Sequence, residues 1–358
     1  MRIAQIAPLM ESVPPKLYGG TERVVHWLTE ELVAQGHDVT LFASGDSQTS
    51  ASLVPVIPRA LRLGRPRQDP AASHAALLAH LSERAGDFDI IHCHGDWLHL
   101  PILRQRKTPY LTTLHGRIDL PGLENALQHF PGAPFVSISD NQRLPLANLN
   151  WLGTVYHGMP QHDLQPRSEP GSYLAFLGRL APEKGAHVAI DLARRAGVPL
   201  RLAAKIPRAQ SRYVKEQLLP HVDDQLIRLT GEVDDRHKAE FLANASALLF
   251  PIDWPEPFGL VMIEAMACGT PVIAFRRGSV PEVIEHGVTG FVVETEDEAR
   301  QAIARIGQLD RRRVRAEFEK RFTVRRMAAD YLKHYAALIP DRARRSKAIA
   351  TAPAGISN

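Results

Sequence analysis

Short, almost wholly apolar runs recur along the chain, and between them apolar residues return at helical spacing. In the first half the runs are "RIAQIA" (2–7), "DVTLFA" (38–43), "DIIHCH" (89–94), "YLTTLHG" (110–116), "FVSIS" (135–139) and "TVYHG" (154–158). A helix is predicted over 21–35, with Val24, Leu28 and Leu32 on one stripe and Gly36 as its stop. Apolar strands of this length, separated by helices, predict a parallel sheet covered on both faces. The polar, Pro-containing stretch "GMPQHDLQPRSEPGS" (158–172) then breaks the pattern and reads as a linker. The alternation restarts with "YLAFLGR" (173–179), "LRLAAKI" (200–206), "LIRLTGEV" (226–233), "ALLFPI" (247–252), "PVIAFR" (271–276) and "GFVVET" (290–295), with helices predicted over 184–196 and 236–245.

The fold class is therefore α/β, with two Rossmann-like, doubly wound domains facing a central cleft. The expected boundaries are 1–160 and 161–323, followed by a last helix over 324–338 and, from Pro340, an Ala/Arg/Ser-rich tail whose composition predicts disorder. In such sheets a ligand lies beyond the carboxyl ends of the strands, so polar residues there are the functional candidates.

A length of 358 residues suits two domains, and 44% hydrophobic with 23% charged residues is a globular composition. No apolar run reaches the ~18 residues of a membrane span. The start "MRIAQIAPLM" reads as a first strand rather than a leader, and Cys93 and Cys268 sit in apolar segments. Both features suit a cytoplasmic protein with reduced thiols. The formal net charge is +4, and the excess falls late, in "DRRRVRAEFEKRFTVRRM" and "PDRARRSKA". A solvated helix face explains it, with a membrane-facing surface as the alternative. Nucleic-acid binding is disfavoured because no interleaved aromatics accompany the arginines.

Three strand-end loops carry candidate chemistry. In "YGGTERVV" (18–25), Gly19 and Gly20 allow close backbone approach before a helix N-terminus, though a plain tight turn has the same sequence. In "GRLAPEKG" (178–185), Arg179 and Lys184 bracket a helix start and could hold a diphosphate; the bland alternative is a surface pair with Glu183. In "EPFGLVMIEAMACG" (256–269), Glu256 lies in a loop and Glu264 lies further along the helix that follows. Carboxylates are acceptors only, so the vicinal diols of a sugar and a ribose are natural partners. Helix-dipole compensation and an ordinary salt bridge are the plainer explanations for the two glutamates.

Taken in order with "VPEVIEHGVTGFVV", these loops resemble glycosyltransferase family 4, the retaining nucleotide-sugar transferases of GT-B fold, over residues 2 to about 300. The resemblance implies that Arg179 and Lys184 hold the donor diphosphate with no metal cofactor. Glu256 would bind donor-sugar hydroxyls, helped by the backbone N–H groups of Phe258, Gly259 and Leu260. Glu264 would take the ribose, and Gly19 and Gly20 would close on the phosphates. His115, in "TLHG", matches the family histidine at the reaction centre, and helix 324–338 matches the helix that crosses back onto the first domain. Trp254-Pro255 before the glutamate and "FRRGSVPE" depart from the commonest pattern and are similar to the subgroup containing avilamycin-type glycosyltransferases.

The cluster His92, Cys93, His94, Asp96 and His99 invites a metal reading, but on a strand His92 and His94 face away from Cys93. This strand end is expected instead to line the acceptor side, with Asp96 or Trp97 touching a sugar. The expected partners are a nucleotide sugar, UDP-linked first and GDP-mannose next, and a hydroxyl acceptor that is a sugar, glycoside or lipid-linked. The expected reaction is front-face displacement with retention. A sugar-nucleotide epimerase and a non-catalytic nucleotide-sugar sensor are the alternatives.

Overall fold

The computed structural model describes residues 1–340 apart from residues 17 and 207; the tail predicted from Pro340 lies, after Pro340 itself, outside them. Strands β1 (Arg2–Ile6), β2 (Asp38–Ser44), β3 (Ser52–Ile57), β4 (Ile90–Cys93), β5 (Tyr110–Thr113), β6 (Phe135–Ser137) and β7 (Trp151–Thr154) form one sheet in the order β3-β2-β1-β4-β5-β6-β7. Strands β8 (Tyr173–Arg179), β9 (Leu200–Lys205), β10 (Ile227–Gly231), β11 (Ala245–Phe250), β12 (Val272–Phe275) and β13 (Gly290–Val293) form a second, ordered β10-β9-β8-β11-β12-β13. Every pairing is parallel, as in Ile3 opposite Ile90 and Leu174 opposite Leu200. The central strands are buried on both faces, which explains why they read as continuous apolar runs.

Helix Gly20–Ala34 buries Val24, Leu28 and Leu32 against the first sheet. Helix Val324–Leu338 buries Met327, Ala328, Tyr331 and Tyr335, and packs along Gly20–Ala34. One continuous apolar cluster runs from Leu28 and Ile90 through Phe322 and Tyr331 to Met262 and Val272, so the late helix joins the cores of both sheets. Among the described residues no helix is long and apolar enough to cross a membrane.

Several elements have no counterpart in the sequence pattern, among them a strand and a helix of the first half. Edge strand β3 contains Pro55, tolerated there because an edge strand needs no ladder donor on its free side. Helix Pro70–Arg84 buries only Ser73, Leu77 and Leu81, too narrow a stripe to stand out, and Asp69 caps it by accepting from the Ala71 N–H. Elsewhere ends move: the last strand of the first sheet is Trp151–Thr154 rather than 154–158, and "PEK" at 182–184 is a short 3₁₀ turn before helix Ala186–Ala196.

Candidate active site

Strand order reverses direction between β1 and β4 in the first sheet and between β8 and β11 in the second. Loops leaving neighbouring strands at such a point diverge to opposite faces and leave a crevice. The two crevices open into one cavity of about 1050 Å³. From the first half it is lined by Gly19, Gly20, Asp96 and His115. From the second it is lined by Arg179, Lys184, Glu256 and Glu264, with Phe258, Gly259 and Leu260 at the start of helix Leu260–Ala267. The first amides of that helix have no carbonyl a turn behind them, so they are donors for whatever enters.

Glu256 is held from two directions. Its Oε2 accepts from Lys184 Nζ at 2.5 Å and from Trp254 Nε1 at 3.0 Å, and Lys184 also stands 4.4 Å over the Trp254 ring. Both bonds fall on one carboxylate oxygen, leaving Oε1 as an acceptor on the cavity wall. The Lys184 and Glu256 side chains are only 15% and 12% exposed, so the pair is shielded and its geometry counts. Two glycines allow this placement. Gly185 has φ +72°, and a Cβ there would stand 1.9 Å from the Pro251 carbonyl oxygen. Gly278 has φ +54° and lies against the Glu256 backbone, where a Cβ would come within 2.3 Å of its oxygen. Ser279 completes the backing, its N–H donating to Glu256 O and its hydroxyl to Phe258 O, both at 2.9 Å. Gly185→Ala is therefore expected to cost about 1–3 kcal/mol of stability through left-handed strain and the contact with Pro251, measurable as a lower urea midpoint.

Glu264 accepts from Lys238 Nζ at 2.8 Å, and their side chains are 8% and 13% exposed. The plainer salt-bridge explanation thus holds for Glu264, but the pair forms on the cavity wall. Arg179 lies 3.7 Å from Glu183 with both side chains about a third exposed, a weak contact. Its Nε is buried with no hydrogen-bond partner among the described residues. Tyr18 stands between cations, its ring 6.0 Å from Arg179 and 5.8 Å from Lys205.

Three histidines line up along the opposite wall. His94 Nδ1 meets His115 Nε2 at 2.9 Å, and the His115 ring stacks on His157 at 5.1 Å and 17°. His157 in turn sets its edge against Phe258 at 4.8 Å. Burial pushes the pKa of His115 down to about 3, and those of His94 and His157 well below the usual range, so all three are neutral near pH 7.

Trp97 is corrected by the structure. It does not line the cavity; its side chain packs against the group of Leu100, Leu114 and Phe135, while exposed Asp96 and Leu98 reach the cavity wall. The His92–His99 cluster does not converge: both His92 nitrogens are bonded, to Tyr335 and Thr113, and His99 Nε2 meets Thr112 Oγ1 at 2.7 Å. Cys93 faces a separate apolar group with Phe42 and Leu103. Among the described residues no group of three His, Cys, Asp or Glu side chains is arranged to hold a metal ion.

Sequence reasoning missed Lys238, Lys205, Tyr18 and His157 as cavity residues. Of these, only His157 has a local signal, its place at the end of a β-run in "YHG". Trp254 was visible only as a departure from pattern, yet it donates to Glu256.

Family models describe two parts of the chain: "Glycosyltransferase Family 4" matches residues 18–151 and "Glycosyl transferases group 1" matches residues 161–322. A glycogen synthase of Mycobacterium tuberculosis (strain ATCC 25618 / H37Rv) is 28% identical, covering 83% of this chain and 84% of its own. A phosphatidyl-myo-inositol mannosyltransferase of Mycolicibacterium smegmatis (strain ATCC 700084 / mc(2)155) is 28% identical, covering 91% and 89%. Among solved structures, AviGT4, a glycosyltransferase involved in avilamycin A biosynthesis, is similar with a TM-score of 0.70 at 24% identity, covering 95% of this chain and 98% of that one. HepE of Anabaena in complex with UDP-glucose is similar with a TM-score of 0.72 at 18% identity, covering 94% and 100%.

Proposed function

We propose that this chain, which belongs to the family 4 glycosyltransferases of GT-B fold, moves a hexose from a UDP-sugar to a hydroxyl acceptor with retention of configuration. The observation that carries the reading is the convergence of Glu256, Glu264, Arg179 and His115 on one cavity from three separate strand-end segments. Solved structures of similar fold hold UDP and UDP-glucose, which supports a UDP-linked donor ahead of GDP-mannose.

The chemistry follows from the side chains. Arg179, with its orphaned N–H, and Lys184 neutralise the leaving diphosphate in a site that closure makes drier. The Oε1 of Glu256 accepts from a sugar hydroxyl, and Glu264, oriented by Lys238, accepts from the ribose. Glu256 is tied to Lys184 and Trp254, which suits holding hydroxyls better than attacking an anomeric carbon. Retention then proceeds by front-face displacement, with the departing phosphate taking the acceptor's proton and no metal taking part.

Incubation with UDP-, GDP- and ADP-hexoses tests this, with released nucleotide and recovered sugar nucleotide both analysed. Slow nucleotide release from a UDP-hexose, with the α-anomer as first product by NMR, is the expected result. An isomerised donor would identify an epimerase instead. Tight binding of donor with no turnover on any hydroxyl acceptor would identify a sensor.

A further inference from the structure

Behind His115 runs an unbroken chain of hydrogen bonds that ends on the late helix Val324–Leu338. His115 Nε2 meets His94 Nδ1 at 2.9 Å, and His94 Nε2 meets Gln5 Oε1 at 2.6 Å. Gln5 Nε2 donates to Tyr335 OH at 3.2 Å, and Tyr335 OH lies 2.7 Å from His92 Nδ1. His92 Nε2 continues to Thr113 Oγ1 at 2.7 Å, and Thr113 Oγ1 to Tyr331 OH at 3.0 Å. Gln5, His92, His94, Thr113, Tyr331 and Tyr335 are all buried.

Such a chain has only two proton arrangements, because a neutral imidazole carries one N–H and a phenol one O–H. The Tyr335 hydroxyl chooses between them. Its short contact with His92 Nδ1 suits an O–H donating to an imidazole nitrogen, and its longer one suits an amide N–H donating to it. Gln5 must then turn its oxygen to His94, which donates from Nε2 and accepts at Nδ1. His115 can donate only from Nε2. Its Nδ1 is left buried and unpartnered among the described residues, on a ring that lines the cavity.

We propose that Gln5, oriented by Tyr335, is a positioning residue that holds His115 as the Nε2–H tautomer and presents its Nδ1 to the cavity as an acceptor for a substrate hydroxyl. Burial keeps the histidines of the chain neutral, as the argument of one proton per ring requires. The proton pattern of a residue at the reaction centre is thereby set by a helix more than 200 residues away in sequence, through a link in which 330 positions separate Gln5 from Tyr335. That the hydroxyl belongs to a transferase substrate rests on the proposed function; the tautomer does not.

The test uses ligand-free full-length protein with ¹⁵N-labelled histidine and long-range ¹H–¹⁵N NMR, His115 being assigned by the signal lost in His115→Gln. The expected spectrum has His115 as a single Nε2–H tautomer. Gln5→Leu is expected to convert it to a mixture, and Gln5→Glu, whose carboxylate still accepts from His94 Nε2–H, to restore the single form. Should Gln5→Leu not fold, Tyr335→Phe removes the hydroxyl that orients Gln5 and is expected to give the same mixture. A wild-type His115 protonated on Nδ1 would overturn the proposal, as would a folded Gln5→Leu with its tautomer unchanged or a Gln5→Glu that fails to restore it. Because no substrate is present, a failed donor assay leaves this result independent.

Discussion

Glu256→Gln is expected to bind UDP within a few-fold of wild type and to turn over the sugar donor about 10²–10³-fold more slowly. The reason lies in which oxygen is already engaged. Lys184 and Trp254 both donate to Oε2, so a glutamine must turn its carbonyl oxygen to them and its NH₂ toward the cavity. A donor then stands where the wild type offers an acceptor, and a sugar hydroxyl that donated to Oε1 meets an N–H instead. The change also removes the negative charge beside Lys184, leaving a cation only 15% exposed without its counter-charge. In the proposed reading nucleotide binding rests on other groups, Arg179 and Glu264 among them, and is expected to persist. Calorimetric titration with UDP and single-turnover release from the donor separate the two effects. Wild-type turnover in the glutamine variant would mean that Glu256 does not touch the transferred sugar.

Arg311→Met is expected to lower the unfolding free energy by about 3–5 kcal/mol, the largest stability effect anticipated outside the apolar core. Arg311 is 5% exposed and enters no ion pair among the described residues. It acts as a staple for carbonyls. Its guanidinium donates to Arg167 O and Ala245 O at 2.8 Å, to Ala243 O at 2.9 Å and to Thr270 Oγ1 at 2.7 Å. Burial holds its pKa down, to about 10, so it still carries its charge at neutral pH. Methionine fills much of the same volume but donates nothing, and each carbonyl left buried and unpaired costs about 1–3 kcal/mol. These groups lie where the 158–172 segment meets the start of β11, so the defect loosens the second sheet at that strand's beginning. Urea denaturation provides the measurement; a midpoint within the scatter of exposed arginine replacements such as Arg313→Met would refute the assignment.

The candidate site was readable from sequence to the extent that its chemistry is local. "GRLAPEKG" and "EPFGLVMIE" each place charged residues at the end of an apolar run, and the strand-end rule for parallel sheets makes that position meaningful. Residues that serve these motifs from elsewhere were not readable. Lys238 is 26 positions from Glu264, and it sits in a helix whose surface charge looks ordinary. Tyr18 meets Arg179 and Lys205 only because two domains face each other. Trp97 was misplaced for a related reason: a loop of a few residues can send either of two neighbours into a cleft, and packing against Leu100 and Leu114 decided which. Strand β3 and helix Pro70–Arg84 escaped because elements near an edge bury little, and a narrow apolar stripe resembles loop composition.

By itself, then, the sequence determined what short-range periodicity and composition can encode: parallel strands buried on both faces, the stripe Val24–Leu28–Leu32, and the strand-end motifs with their cations and carboxylates. Only the tertiary structure decided who pairs with whom. Lys184 reaches Glu256 across 72 positions, and Gln5 reaches Tyr335 across 330. Such pairings depend on strand order and on where a terminal helix docks, and those are set by burying one apolar surface against another, an interaction with no direction of its own. Hydrogen bonds then select among the side chains that packing has brought within reach. The proton on His115 is settled in that way, through contacts that no window of the sequence contains.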